Sequence, residues 1–171
     1  EALASGAEVM RCPLHLVLRE SMALSDPVIG GPLTILRYEL DKPLISTRVL
    51  LCVLLLHHRR NGVDSFFAPY IDALPGDDLV LSLPSSWSEE ELESRLGGTP
   101  LIIQARRESN ELHEVHRVVM REGLCARWPE VFPAADFDLV RWRWASAMFW
   151  SRAIAVPLGS LAASLNDGGV E

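Results

Sequence analysis

Val49 to Leu56 is an unbroken run of eight apolar residues that closes on His57, His58, Arg59 and Arg60. The run is far short of the ~20 residues that span a bilayer, and a helix apolar on every side has to be surrounded by protein. One element is thereby set: a buried helix against which the rest of the chain must pack. Ser46 or Thr47 is placed to cap its start, and Asn61-Gly62 stops it at about Arg60. The cationic side chains in its last turn suit the negative pole of the helix dipole.

The clearest local signal lies further on, at Trp87-Ser88-Glu89-Glu90-Glu91-Leu92. Ser88 can accept from the backbone N–H of Glu91 while the Glu91 carboxylate returns to the N–H of Ser88, a capping box with Trp87 and Leu92 as its hydrophobic staple. Gly97-Gly98 ends that helix, Thr99 starts a longer one reaching to about Glu122, and Pro129 and Pro133 then break the chain. Asp136 is expected to cap a last helix, Phe137 to about Ala155, before a flexible end containing Gly168-Gly169.

The beginning reads differently. Glu8 to Pro13 has the pattern of a strand leading into a loop, because Pro13 cannot donate a ladder hydrogen bond. Leu14 to Leu18 is a second strand candidate, and Asp26-Pro27 with Gly30-Gly31-Pro32 marks a turn-rich stretch after it. The fold class expected is therefore α+β, with short strands before about Leu24 and helices thereafter. Glu1 to Gly6 has neither an initiator Met nor a basic leader, so the chain is expected to begin inside a longer sequence.

Composition narrows function mainly by exclusion. With 49% hydrophobic residues the chain reads as an ordinary globular domain and not as a disordered one. A formal charge of -7 argues against a sequence-independent nucleic-acid binder, which needs a basic surface to displace counterions. The aromatics Trp142, Trp144, Phe149 and Trp150, interleaved with Arg141, Arg143 and Arg152, are accordingly read as helix packing and not as a base-stacking platform. Cys12, Cys52 and Cys125 form no CxxC pair and read as buried, reduced thiols. Adjacent His57 and His58 point ~100° apart on a helix, a poor geometry for one metal, and His113 and His116 read as surface residues. Asp77-Asp78 and Glu89 to Glu91 read as solvated charge. No dinucleotide-binding GxGxxG, Walker, HExxH or GxSxG motif occurs.

A family resemblance goes further. Phe67-Ala68-Pro69-Tyr70-Ile71-Asp72-Ala73-Leu74-Pro75, then Trp87 to Leu92, then Leu96-Gly97-Gly98-Thr99-Pro100-Leu101 is similar to a run inside SET-domain protein methyltransferases of the Rubisco large-subunit methyltransferase type. Asp138 to Ala145 and Ser151-Arg152-Ala153 resemble that family's "F.WA......SRA" helix, and Leu3 to Pro13 resembles its strand pair after the cofactor loop. The resemblance implies a partial SET domain over 1–171, with strands at about 4–24, a helical insert at about 44–135, the SRA helix at about 136–155 and a loop at 156–171. It implies methyl transfer from S-adenosyl-L-methionine to a side-chain nitrogen of a protein substrate, usually lysine. Such a protein needs no nucleic acid and no membrane and is expected inside the cell, in cytoplasm, nucleus or chloroplast.

By the same match Arg152 is the cofactor-binding candidate, its planar fork suited to a carboxylate, and Ser151 the substrate-binding candidate. No catalytic residue and no metal ligand is assigned. The family's Gly-rich loop has no counterpart here, and neither does its "VP..D..NH" motif: Asn166 is followed by Asp167, too far from Val156-Pro157. Neither Tyr38 nor Tyr70 matches the family's catalytic tyrosine, and without that residue, the cofactor loop and the NH motif the 171 residues by themselves are expected to be inactive. The alternative expectation is a non-catalytic helical protein-interaction domain or a degenerate SET protein.

Overall fold

A computed structural model describes Ala4, Ala7, residues 11–42 and residues 44–154. Among them every regular element is helical: α1 Glu20–Ser25, α2 Gly30–Glu39, α3 Thr47–Asn61, α4 Ala68–Asp72, α5 Asp77–Leu81, α6 Glu89–Leu96, α7 Leu101–Val115 and α8 Leu139–Arg152. α7 runs directly into a π-helical stretch, His116–Cys125. Short 3-10 turns occur at Leu14–Leu16, Gly62–Asp64 and Pro84–Ser86.

The apolar run forms the centre of α3, and Val49, Leu50 and Cys52 to His57 are all buried. α8 packs along it with Trp142, Ala145 and Met148 inside, and α1 covers another side with Ala23. Each large apolar side chain so enclosed contributes about 1.5–3 kcal/mol, which makes α3 the element the others cannot do without. Gly62 ends α3 at φ +53°, a conformation that side-chain-bearing residues resist. A second, small cluster of Leu92, Ile102 and Ala105, joined by Trp87 and Leu96, holds α6 to α7. None of the described helices is long and apolar enough to cross a membrane.

The capping box forms as the sequence predicts. Glu91 N–H donates to Ser88 Oγ at 3.2 Å, and Ser88 N–H donates to Glu91 Oε2 at 3.0 Å. The long third-quarter helix also exists, although it is α-helical only to Val115 and continues as π-helix three residues beyond the expected end. The last helix starts two residues later than expected, because Asp138, not Asp136, accepts from Arg141 N–H at 2.8 Å.

The α+β division is overturned: no strand occurs among the described residues. Leu14–Leu16, placed in the second strand, is a 3-10 turn, and Glu20–Ser25 is helix. The physical reason is pairing. A short apolar run becomes a strand only if a neighbour completes its hydrogen-bond ladder, and no such neighbour occurs among the described residues, whereas a helical turn satisfies its backbone locally. Of the first strand candidate, residues 8–10 lie outside the described residues, and Arg11 to Pro13 carry no regular structure. The expected partial SET domain with strands at about 4–24 is therefore not the fold seen.

The turn-rich reading of Gly30-Gly31-Pro32 also fails. These residues are the first turn of α2, where Pro32 needs no intrahelical N–H bond. A Cβ on Gly30 would lie 2.4 Å from the Leu24 carbonyl oxygen, so glycine here serves close packing of α2 on α1. Asp26 Oδ1 accepts from Val28 N–H at 2.8 Å and from Ile29 N–H at 3.0 Å, which fixes the entry to α2. The last helix ends at Arg152 and not at about Ala155, because Ala153 turns to an extended conformation as the C-cap; the expected loop 156–171 lies outside the described residues.

Candidate functional site

Ser151 and Arg152 close the last turn of α8, and both are exposed. Ser151 Oγ donates to the Ala147 carbonyl at 2.8 Å, a bond that turns the hydroxyl back along the helix. Arg152 Nη1 donates to Ser151 Oγ at 2.6 Å and also lies 3.4 Å from Met148 Sδ. The two candidates thus form one hydrogen-bonded pair. No carboxylate among the described residues pairs with Arg152, so its fork is not committed to an internal ion pair.

A groove of about 790 Å³ lies beside this pair, walled by α7 and α8 and lined also by Val80 of α5 and by Leu83, Pro84 and Ser85. Val80, Ala105, Leu112, Ser146 and Ala147 form its deeper part; Leu101, Trp150 and Ser151 stand at its edge. Ser151 therefore borders the groove, and Arg152 is not part of its lining. Arg48, Arg107 and Arg143 enter from the sides with Glu108 and Glu111. Arg48 is bound to Glu111 and lies over the Trp150 ring at 5.8 Å. Arg143 has no such partner: its Nε is buried without a hydrogen bond, and Nη2 reaches only His113 Nε2, at 3.3 Å. Burial pulls the Arg143 guanidinium below its ordinary range. Sequence reasoning counted Arg143 among the residues decorating a packed helix and missed this environment, because its hydrogen-bond partner, His113, lies on α7, thirty positions away.

A second polar node joins distant parts of the chain. Trp144, 1% exposed, donates from Nε1 to the Pro75 carbonyl at 2.7 Å. Arg59 lies 4.1 Å from the centre of the same ring and holds Asp77 with two bonds of 2.8 and 3.0 Å. The Arg59 hydrogen bond keeps the Asp77 carboxyl below the usual range, so it is not the freely solvated acid expected. This is a structural clasp between α3, α5 and α8.

The histidines belong to the packing. His57 is 5% exposed; Asn61 Nδ2 donates to its Nε2 at 3.2 Å, which leaves the ring proton on Nδ1 without a partner. Asp26 Oδ2 stands 3.9 Å from Nε2, on the side of the ring that meets Asn61. His58 Nδ1 meets Ser65 Oγ at 3.1 Å, and that oxygen also accepts from Phe67 N–H. Serine, histidine and aspartate do not line up here as a nucleophile system, because Asp26 faces one histidine and Ser65 the other. His116, expected at the surface, is half-buried and meets the Phe137 carbonyl at 3.1 Å. Desolvation lowers the pKa of all three rings. No group of three potential metal ligands occurs among the described residues. Cys52 is buried, its thiol pushed up to about 12 by desolvation, but Cys12 is exposed, against the expectation of three buried thiols. Trp142 and Trp144 pack in the core as expected, whereas Trp150 is 71% exposed.

No family model matches the chain, and no curated protein or solved structure does either.

Proposed function

We propose that these residues are the helical part of a protein methyltransferase that uses S-adenosyl-L-methionine to methylate a side-chain nitrogen, usually that of lysine. One observation carries the reading. Two of the sequence blocks on which the family resemblance rests, although far apart in the chain, are in contact: the block ending at Pro75 receives the Trp144 hydrogen bond from the block Asp138 to Ala145. The block Leu96 to Leu101 forms the joint between α6 and α7 and borders the same groove as Ser151.

When bound, S-adenosyl-L-methionine supplies a methyl group on a sulfonium centre. Arg152 suits its carboxylate, because the guanidinium is exposed and has no acidic partner among the described residues. Ser151 holds that guanidinium through its own hydroxyl, which is in turn anchored to the Ala147 carbonyl, so the cation is aimed by the end of a packed helix. Positioning of this kind dominates methyl transfer, since the amine and methyl carbon must be brought in line. The Gly-rich loop, the NH motif and the tyrosine of the family have no counterpart here, and the reading assigns them to sequence outside these 171 residues.

The test is calorimetric titration of S-adenosyl-L-methionine into the complete protein and its Arg152→Ala variant. Loss of a charge-assisted pair is expected to weaken binding by about tenfold or more, with the thermal midpoint unchanged because Arg152 is exposed. Equal affinities would remove Arg152 from the site, and no heat of binding in either protein would refute the cofactor.

A further inference from the structure

We infer that the groove between α7 and α8 is a docking site for an amphipathic helix of another protein, one bearing a carboxylate that meets Arg143. The inference goes beyond methyl transfer and does not rest on it.

Three observations lead there. The first is shape. Small residues at Ala105, Ser146 and Ala147 keep the groove deep, while Leu101 and Trp150 stand at its edge 57% and 71% exposed. An occupant that only filled the cavity would leave these two large apolar side chains in water. A helix lying along the groove covers both, with apolar residues at i, i+4 and i+7 directed inward. An exposed tryptophan beside a pocket is also the residue type that most often anchors such an interface.

The second observation is charge. Three arginines and two glutamates line the groove, so it carries positive charge on a chain whose formal charge is -7. Arg48 is already neutralised by Glu111, and Glu108 is engaged by Gln104. Arg143 has no acidic partner among the described residues, only the His113 nitrogen, and its Nε is buried unbonded. A desolvated guanidinium without a counter-ion is costly, and a carboxylate brought by the occupant removes that cost. A basic occupant would add to it. Arg107, exposed and without an ion pair among the described residues, extends the preference along α7.

The third observation concerns the form of the occupant. No strand edge exists among the described residues, so an extended peptide has no ladder to join. Two helices with small residues between them offer ridges and a groove, the surface a third helix fits.

Selection of a phage-displayed library of helices about 16 residues long against the complete protein tests the inference. The enriched sequences are expected to share apolar residues at helical spacing together with Asp or Glu. Binding of a synthetic peptide from that pool is expected to fall about tenfold or more in each of two variants, Arg143→Gln and Trp150→Ala. Trp150 is exposed, so its replacement leaves the fold intact even if Arg143→Gln does not. Replacing the peptide's acid by Lys is expected to abolish binding. Failure to enrich any helix, a basic consensus, or affinities indifferent to Trp150→Ala and to the peptide's acid would each overturn the inference. Binding of decanoate in the groove without binding of helices would overturn it too, and would make the site one for a small amphiphile.

Discussion

Trp144→Phe is the substitution that most directly examines how the chain is held together. The indole is almost fully buried and does three separate things. Its Nε1 satisfies the Pro75 carbonyl at 2.7 Å, a bond worth about 1 kcal/mol net. Its face lies 4.1 Å from the Arg59 guanidinium, itself half-buried and fixed by Asp77; such a contact contributes about 0.5–2 kcal/mol, only part of which phenylalanine retains. The smaller ring leaves a void of ~40 Å³, about 1 kcal/mol at the usual rate for unrelaxed cavities. Together these put the cost at about 2–4 kcal/mol, which for a domain of this size lowers the thermal midpoint by roughly 5–15 °C. Urea unfolding followed by far-UV circular dichroism measures it. A companion Arg59→Met and the double variant isolate the ring–cation part, expected as a coupling of about 0.5–1 kcal/mol. A loss below about 1 kcal/mol for Trp144→Phe, or no coupling to Arg59, would refute the clasp.

Other expectations are smaller. Ser88→Ala removes one of the two bonds of the capping box and leaves the Glu91 carboxylate its bond to the residue-88 N–H; a loss of about 0.5–2 kcal/mol in chemical denaturation is expected, and no change would mean that α6 does not begin there. His57, His58 and His116 are held below the ordinary histidine range by burial. Their native rings stay neutral while the unfolded chain takes up protons at about pH 6.5, so stability is full above that pH and falls as the pH drops from it through the folded pKa values. Thermal midpoints between pH 7.5 and 5 check this, and His57→Gln is expected to flatten part of the slope; a midpoint that rises on acidification would contradict it.

How much of this was legible in the sequence depends on whether the signal was local. α3 was, because an eight-residue apolar run bounded by Ser46 and Gly62 allows one interpretation and the glycine takes the positive φ that ends the helix. The capping box at Ser88 was, since donor, acceptor and staple lie within six residues. The beginning was not. Leu14 to Leu18 is too short for periodicity to separate strand from helical turn, and Gly30-Gly31-Pro32 carries the composition of a turn although its use is close packing and a helix start. The pair Ser151 and Arg152 stands out in the sequence only as a motif, and its mutual hydrogen bond follows from adjacency at a helix end. The groove and the unpaired Arg143 were invisible, because they arise where Ala105 and Leu112 of α7 meet Ser146 and Ala147 of α8.

Methyl transfer is read out by incorporation of tritium from methyl-labelled S-adenosyl-L-methionine into protein. The complete protein is incubated with an extract from cells that lack it, and the labelled proteins are hydrolysed and their amino acids separated. Radioactive methyllysine is expected that depends on the added protein and declines strongly with Arg152→Ala. The 171-residue chain alone is predicted to give none. Absence of label on any side-chain nitrogen, from a complete protein shown to be folded by its thermal transition, would rule out methyl transfer.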